Sequence, residues 1–207
     1  MKRYTLQQPN LLDLVVDGQT WLGYCQDWYE DEWQRLAGCG PTTATYVLAY
    51  HFLRDGLWDS IQDIATARMH MNRVWPHVKP RRGGLFRTRW LAEGMENFLR
   101  MEEIQDYCVR MLPVSVLARC RPSDEEMIEF LQAGFTADSP IAFLNRHRGN
   151  EEELETWHWV PLVSLTETAE GWQACAYDEG QERRFNPLRW LHESRLGGGL
   201  VYLEKKG

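Results

Sequence analysis

The stretch Gly38-Cys39-Gly40-Pro41-Thr42-Thr43, running directly into Ala44-Thr45-Tyr46-Val47-Leu48-Ala49-Tyr50, decides how this 207-residue chain is read. Proline fits the first turn of a helix, because the N–H it lacks has no intrahelical partner there. The pattern predicts a helix over 42–54, apolar on one face through Ala44, Val47, Leu48 and Phe52 and closed by Asp55-Gly56. Cys39 then stands at the positive end of the helix dipole, where thiolate is favoured over thiol. The flanking glycines let another backbone approach closely, as a substrate must. Cys39 is the candidate nucleophile; the alternative reading is a buried structural thiol.

Composition bounds the rest. The chain has room for one well-packed domain over 1–207. Its ten tryptophans imply that several line a groove or seal the core, and its net charge of −7 argues against general nucleic-acid binding. The N-terminal residues carry no apolar core of the signal-peptide kind, and no apolar run is long enough to span a bilayer. The five cysteines (25, 39, 108, 120, 175) are odd in number and scattered, which suits a reducing cytoplasm with free thiols. Apart from Cys39 they read as small buried hydrophobes. With no Cys-x-x-Cys or His-x-x-x-His pair, neither a metal nor another cofactor is expected.

Along the chain, the first third reads as helical, and the character changes to strands after Gly134. Ser60 is the expected cap of a second helix through Ile61, Ile64, Ala65 and Met69. A loop rich in proline, glycine and arginine covers 71–86, and Thr88 is the expected cap of a third helix with Leu91, Met95, Phe98 and Leu99. A strand over 107–112 follows. Ser123-Asp124-Glu125-Glu126 is a capping box opening a helix ended by Gly134. Strands are expected over 141–144, 157–165, 172–178, 182–185 and 198–203, with a short helix over 187–193. Helices first and an antiparallel sheet last make an α+β fold.

A cysteine nucleophile needs a histidine base and a group to orient it. Of six histidines, His158 opens an apolar strand, and Asp178 ends the next strand twenty residues later. If those strands form a hairpin centred near Thr168, residues 158 and 178 face each other with Cβ atoms roughly 5 Å apart. Val160 then pairs with Ala176, Leu162 with Ala174 and Ser164 with Trp172. Pro161 cannot donate to a ladder, so it implies an edge, a bulge or a non-bonded position. The bland readings are a core histidine and an aspartate that merely starts the turn Asp178-Glu179-Gly180. The oxyanion of an acyl-transfer step needs donors. The Cys39 amide is one, and a side-chain amide, Gln26 in preference to Gln34, is the other.

Gln26, Cys39-Gly40-Pro41-Thr42-Thr43, His158-Trp159-Val160 and Tyr177-Asp178 together resemble the papain-like cysteine peptidases. Within them the set is most similar to the bacterial branch related to bacteriocin-processing (double-glycine leader) peptidases. The resemblance implies a papain-like fold with Cys39 as nucleophile, His158 as base, Asp178 as orienter and Gln26 as oxyanion donor. It covers 22–56 and 139–203, leaving a helical insert over 57–135 without a match. Thr43 stands where serine is usual, Glu179 follows the aspartate in place of proline, and Pro161 interrupts the histidine strand.

The expected activity is hydrolysis of a peptide or amide bond in a peptide or protein substrate, with no membrane partner. Transfer of the same acyl group to an amine is the close alternative, and a silent peptide-binding module with its cleft blocked by the insert is another. Trp28, Trp157, Trp159 and Arg82 are weaker candidates for substrate contact. Lys79, Arg81, Arg82, Arg87 and Arg89, flanked by Trp75 and Trp90, read either as a solvated loop or as a site for a carboxylate or phosphate. The acidic run Asp27, Glu30, Asp31 and Glu32 would favour a basic substrate if it faced the cleft. Which patch does so is left open by the sequence.

Overall fold

The computed structural model describes all 207 residues. In chain order the elements are β1 (Arg3–Thr5), β2 (Asp13–Val16), β3 (Gln19–Leu22), α1 (Glu32–Ala37), α2 (Cys39–Arg54), α3 (Ile64–Val74) and α4 (Thr88–Met101). They continue with β4 (Tyr107–Val114), α5 (Asp124–Thr136), β5 (Ile141–Asn145), β6 (His158–Thr168), β7 (Gly171–Asp178), β8 (Gln181–Phe185), α6 (Pro187–Glu193) and β9 (Gly198–Lys205). The class is α+β. One sheet in the order β4-β9-β5-β6-β7-β8, with β1 added beside β6, is antiparallel at every pairing. No helix is long and apolar enough to cross a membrane.

Helix α2 differs from the amphipathic helix expected. Every residue from Gly40 to Phe52 is buried, including Thr42, Thr43, Thr45 and His51. It packs on β5, β6 and β9 on one side and on α3 and α4 on the other, so no face is left for water. Its polar groups are answered locally: Thr45 Oγ1 donates to the Pro41 carbonyl at 2.8 Å, and His51 Nε2 meets Ser139 Oγ at 2.9 Å. The region matched by no family resemblance is built into this core. Met71, Val74, Leu91, Met95 and Phe98 join the same apolar cluster as Leu48, Phe143 and Leu200, and β4 supplies an edge strand of the sheet.

Several boundaries move for physical reasons. Asp63, not Ser60, caps α3, because its carboxylate accepts from both the Thr66 amide (2.7 Å) and the Thr66 hydroxyl (2.8 Å). That helix continues through Met71 to Val74, whose burial completes its inner face, so the loop starts at Trp75. Thr88 lies inside α4, its hydroxyl drawn away to the Gly198 carbonyl at 2.9 Å. The capping box of α5 forms as expected, but the helix passes through Gly134, which lies against Ile141 and Tyr202. Pro113 extends β4 because that strand is at the edge. The N-terminal strands β1 to β3 were not anticipated.

The β6–β7 hairpin has a tighter turn than expected, with Thr168 opposite Gly171. From there Ser164 faces Cys175, but Leu162 faces Ala176, so a bulge lies between Leu162 and Ser164. The predicted Leu162–Ala174 pairing is thus displaced by two residues, and Asp178 falls level with Val160 instead of His158. An even displacement keeps the side chains on their expected face. Carried through without the bulge, the register at the turn would set Asp178 level with Pro161, on the opposite face from His158. The irregularity implied by Pro161 is therefore what brings the two together.

His158 is itself paired with Asn145 of β5, which is paired in turn with Gly198 of β9. A Cβ on Gly198 would sit 1.9 Å from the Leu144 carbonyl oxygen. Gly198→Ala is expected to force β5 and β9 apart and to lower stability by about 1–3 kcal/mol, as overpacking does. Urea unfolding checks this: the midpoint should fall with the slope unchanged, and an unaltered midpoint would show that the strands yield freely.

Candidate active site

Cys39 is the first residue of α2, a helix of 16 residues, and its side chain is partly exposed. Gly38 precedes it and takes the hydrogen bond from the Thr42 amide at 2.9 Å, and Cys39, as the first residue of the helix, has an amide with no acceptor inside α2. That N–H and the positive dipole end therefore point where the thiol projects. Gly40 is required by contact: a Cβ there would lie 2.6 Å from Leu85 Cδ2 and 3.3 Å from Trp159 Cδ1.

His158 begins β6, and its Nε2 is 2.8 Å from Asp178 Oδ1. Both side chains are mostly buried, 16% and 12% exposed. The imidazole and the Cys39 thiol line the same small cavity, and the sulfur acts on the ring. With Nε2 engaged by Asp178, Nδ1 is the nitrogen left for sulfur. Burial alone would lower the imidazolium pKa, but the Asp178 carboxylate and the Cys39 sulfur outweigh it and raise the value to about 10.

Two structural details fix this arrangement. Trp157 adopts a left-handed backbone (φ 59°), so the chain swings sharply into β6 and leaves the Trp157 ring 55% exposed. Asn145 is buried and holds the preceding loop, donating to the Glu155 carbonyl at 2.5 Å and accepting from Trp190 Nε1 at 2.9 Å and the His147 amide at 3.1 Å. Asn145 was missed from the sequence; the only signal was a polar residue ending the apolar run Ile141–Leu144.

Gln26 lies in a single 3-10 turn, Gln26–Trp28, anchored where Leu22 bridges to Gly180 beyond Asp178. It lines a cavity of about 30 Å³ together with Cys39, Thr42, Tyr46, His158, Trp159 and Asp178. That is room for little more than a water molecule. Gln26 Oε1 and Tyr46 Oη are buried there without partners, as is Thr42 Oγ1, which has the Tyr29 hydroxyl beside it but no well-formed bond. Gln34 sits on α1, with its amide held by the Asp31 carboxylate at 3.0 Å, and does not line this cavity. Cys25 does line it, and burial pushes that thiol up to about 11.

A larger groove of about 320 Å³ opens on the other side of Cys39, lined by α1 (Trp33, Leu36, Ala37), by Gly83, Gly84, Leu85 and Phe86, and by Leu144, Trp157 and Trp159. Trp159 is buried and donates to the Leu85 carbonyl at 2.5 Å, clamping the arginine-rich loop beside the thiol. Trp157 and Trp159 therefore lie at the groove. Trp28 does not; it packs on Trp21 with ring centroids 5.9 Å apart. Arg82 is exposed and lines neither cavity. Of the other cysteines, Cys175 is buried, whereas Cys108 is only partly buried and Cys120 is exposed, since each lies where the chain reaches the surface. No cluster of three or more histidine, cysteine or acidic side chains is arranged to hold a metal ion.

No protein-family model matches this chain, and no curated protein matches it.

The raised His158 pKa has a definite consequence for stability. Its contribution is fully present below the ordinary histidine value near 6.5 and is lost as pH rises through about 10. NMR titration should show the His158 ring still protonated at pH 8, with its pKa lowered in Asp178→Asn and in Cys39→Ser. A ring that titrates near 6.5 in the unaltered protein would mean that neither partner acts on it.

Proposed function

We propose that this protein is a papain-like cysteine hydrolase that cleaves a peptide or amide bond. The observation that carries this reading is the arrangement of Cys39, His158 and Asp178 at the N-terminus of a buried helix, with the first amide of that helix at the sulfur. The motif resemblance supports it independently. So does the division of the site between a thiol-bearing helix and an antiparallel sheet bearing the base and its carboxylate.

In this mechanism the Cys39 sulfur attacks the substrate carbonyl carbon and forms a tetrahedral intermediate. The oxyanion is met by the Cys39 amide and the Gln26 side-chain amide. Gln26 Oε1 accepts no hydrogen bond, so no protein donor fixes the orientation of that amide. His158, protonated at neutral pH, passes its proton to the leaving amine as the C–N bond breaks. The neutral ring then takes a proton from water, which attacks the thioester and releases the acid and the free thiol. Asp178 holds Nε2 and so keeps Nδ1 aimed at the reaction. The partial exposure of Cys39 and the open groove beside it favour turnover over an occluded binding module.

Alkylation by iodoacetamide between about pH 4 and 9, read by peptide mass spectrometry, tests the pairing. Cys39 should react faster than the other thiols, and that excess reactivity should be lost in His158→Ala. Cys25 serves as an internal control, because a thiol pushed up to about 11 stays protonated and slow throughout. Equal, ordinary pH dependence of Cys39 in both proteins would overturn the reading.

A panel of fluorogenic peptide amides extends the test. Cys39→Ala should abolish turnover, and Asp178→Ala should reduce it without abolishing it. Gln26→Ala should lower kcat by about 10²–10³-fold, the loss seen for one oxyanion donor. An unchanged kcat in Gln26→Ala would remove that residue from the mechanism.

A further inference from the structure

Three large, exposed apolar side chains gather at one place. Trp33, Leu36 and Trp157 are 45%, 77% and 55% exposed, and all three line the groove beside Cys39. A contiguous exposed apolar surface of this kind marks a binding site. One end of it is basic. Gly83 and Gly84 line the groove and belong to the turn Arg81-Arg82-Gly83-Gly84, closed by a hydrogen bond from the Gly84 amide to the Arg81 carbonyl at 2.9 Å. Both glycines have φ of 88°, a conformation glycine adopts freely, and Arg81 and Arg82 directly precede them in the chain.

Aromatic contacts join the apolar and basic parts. Trp157 is 6.5 Å from Phe86, and Phe86 is 4.8 Å from Trp90 between ring centroids. The Arg81 and Arg87 guanidinium groups lie 4.1 and 5.0 Å from the Trp90 centroid. Stacking fixes these groups while leaving their N–H donors free for an anion.

The cations are also uncompensated. The chain has 30 acidic residues against 23 lysines and arginines, yet no carboxylate pairs with Lys79, Arg81, Arg82 or Arg87. Only Arg89 of this segment is paired, with Glu93. Of the acidic run, Asp31 caps α1 and Glu30 pairs with Arg68, while Asp27 and Glu32 form no ion pair.

We infer that the groove takes an acidic peptide, with a large apolar side chain near the scissile carbonyl seated among Trp33, Leu36, Phe86 and Trp157, and carboxylates a few residues away held by Arg81, Arg82 and Arg87. This specificity rests on the hydrolase reading only for where the scissile bond lies; the binding preference itself requires no turnover.

Fluorescence polarisation on the full-length Cys39→Ala protein tests it, with three fluorescein-labelled decapeptides. The first has a Phe-Leu centre flanked by Asp and Glu, the second the same centre flanked by Lys, and the third acidic flanks around a Ser-Ser centre. The first should bind at least about tenfold more tightly than the others, and more weakly as NaCl rises from about 50 to 500 mM. Adding Arg81→Gln, Arg82→Gln and Arg87→Gln together should lose about tenfold for the first peptide and nothing for the second. Arg82→Glu, at a side chain with no protein partner, is the second variant and should act in the same direction. Equal or tighter binding of the Lys-flanked peptide overturns the inference, as does unchanged binding in both arginine variants. Arginine-dependent binding to vesicles of phosphatidylcholine and phosphatidylserine, with no peptide preference, also overturns it by assigning the patch to a lipid surface. The hydrolase reading fails separately, if the first peptide binds with this preference but the unaltered protein leaves it intact.

Discussion

The complete burial of α2 is the constraint on which the rest of the molecule depends. A helix with no solvent-facing side must be covered all round, so the chain wraps it with the sheet on one flank and with α3 and α4 on the other. This explains why the 57–135 region is part of the core rather than an appendage. Removing it would expose apolar surface on Phe52, whose ring packs against Trp58, Phe98 and Tyr107 of that region. Only Cys39 at its start and Leu53 and Arg54 at its end are partly exposed, and of these it is Cys39 that meets the groove. The same packing that stabilises the fold thus confines the thiol and the helix dipole to one opening.

A second constraint acts within the sheet. The short hairpin turn at Ala169-Glu170 sets a register that, left uncorrected, would put His158 and Asp178 on opposite faces. One bulge next to Pro161 restores the parity. Proline at that point removes a donor from the ladder, and the consequence is a bent strand end that delivers His158 beside Cys39. The strained backbone of Trp157 adds to this, turning the chain into β6 and exposing its ring over the groove in one step.

The groove shows how loop and helix contribute unequal chemistry to one surface. Helix α1 brings apolar side chains, and the Gly83–Phe86 segment brings bare backbone and a ring. Trp159 ties that segment to the sheet through its indole N–H. The Arg81–Gly84 turn leads directly into this clamped segment, and Arg81 and Arg87 stack on Trp90 beyond it. The acidic run of 27–32 is not its equal, since a helix cap and an ion pair occupy two of its four carboxylates.

Local chemistry made part of this molecule legible in the sequence. Proline and glycine around Cys39 announce a helix start whatever surrounds it, and Ser123 with Glu126 announces another, because both signals act within one turn of backbone. The parity of His158 and Asp178 was legible in the same way, although their register was displaced. Other features depend on contacts between residues far apart in the chain. Asp63 displaced Ser60 as a cap, Thr88 gave its hydroxyl to Gly198, and β1 found its place only because β6 was long enough to pair on two sides. The roles of Asn145, Trp33 and Leu36 carried no sequence signature at all. The sequence by itself determined which residues can be nucleophile, base and orienter, since those roles belong to residue type and local backbone. The tertiary structure alone decided that they meet, and that an apolar groove with a basic rim lies beside them, because burial and strand register are properties of the whole packed chain.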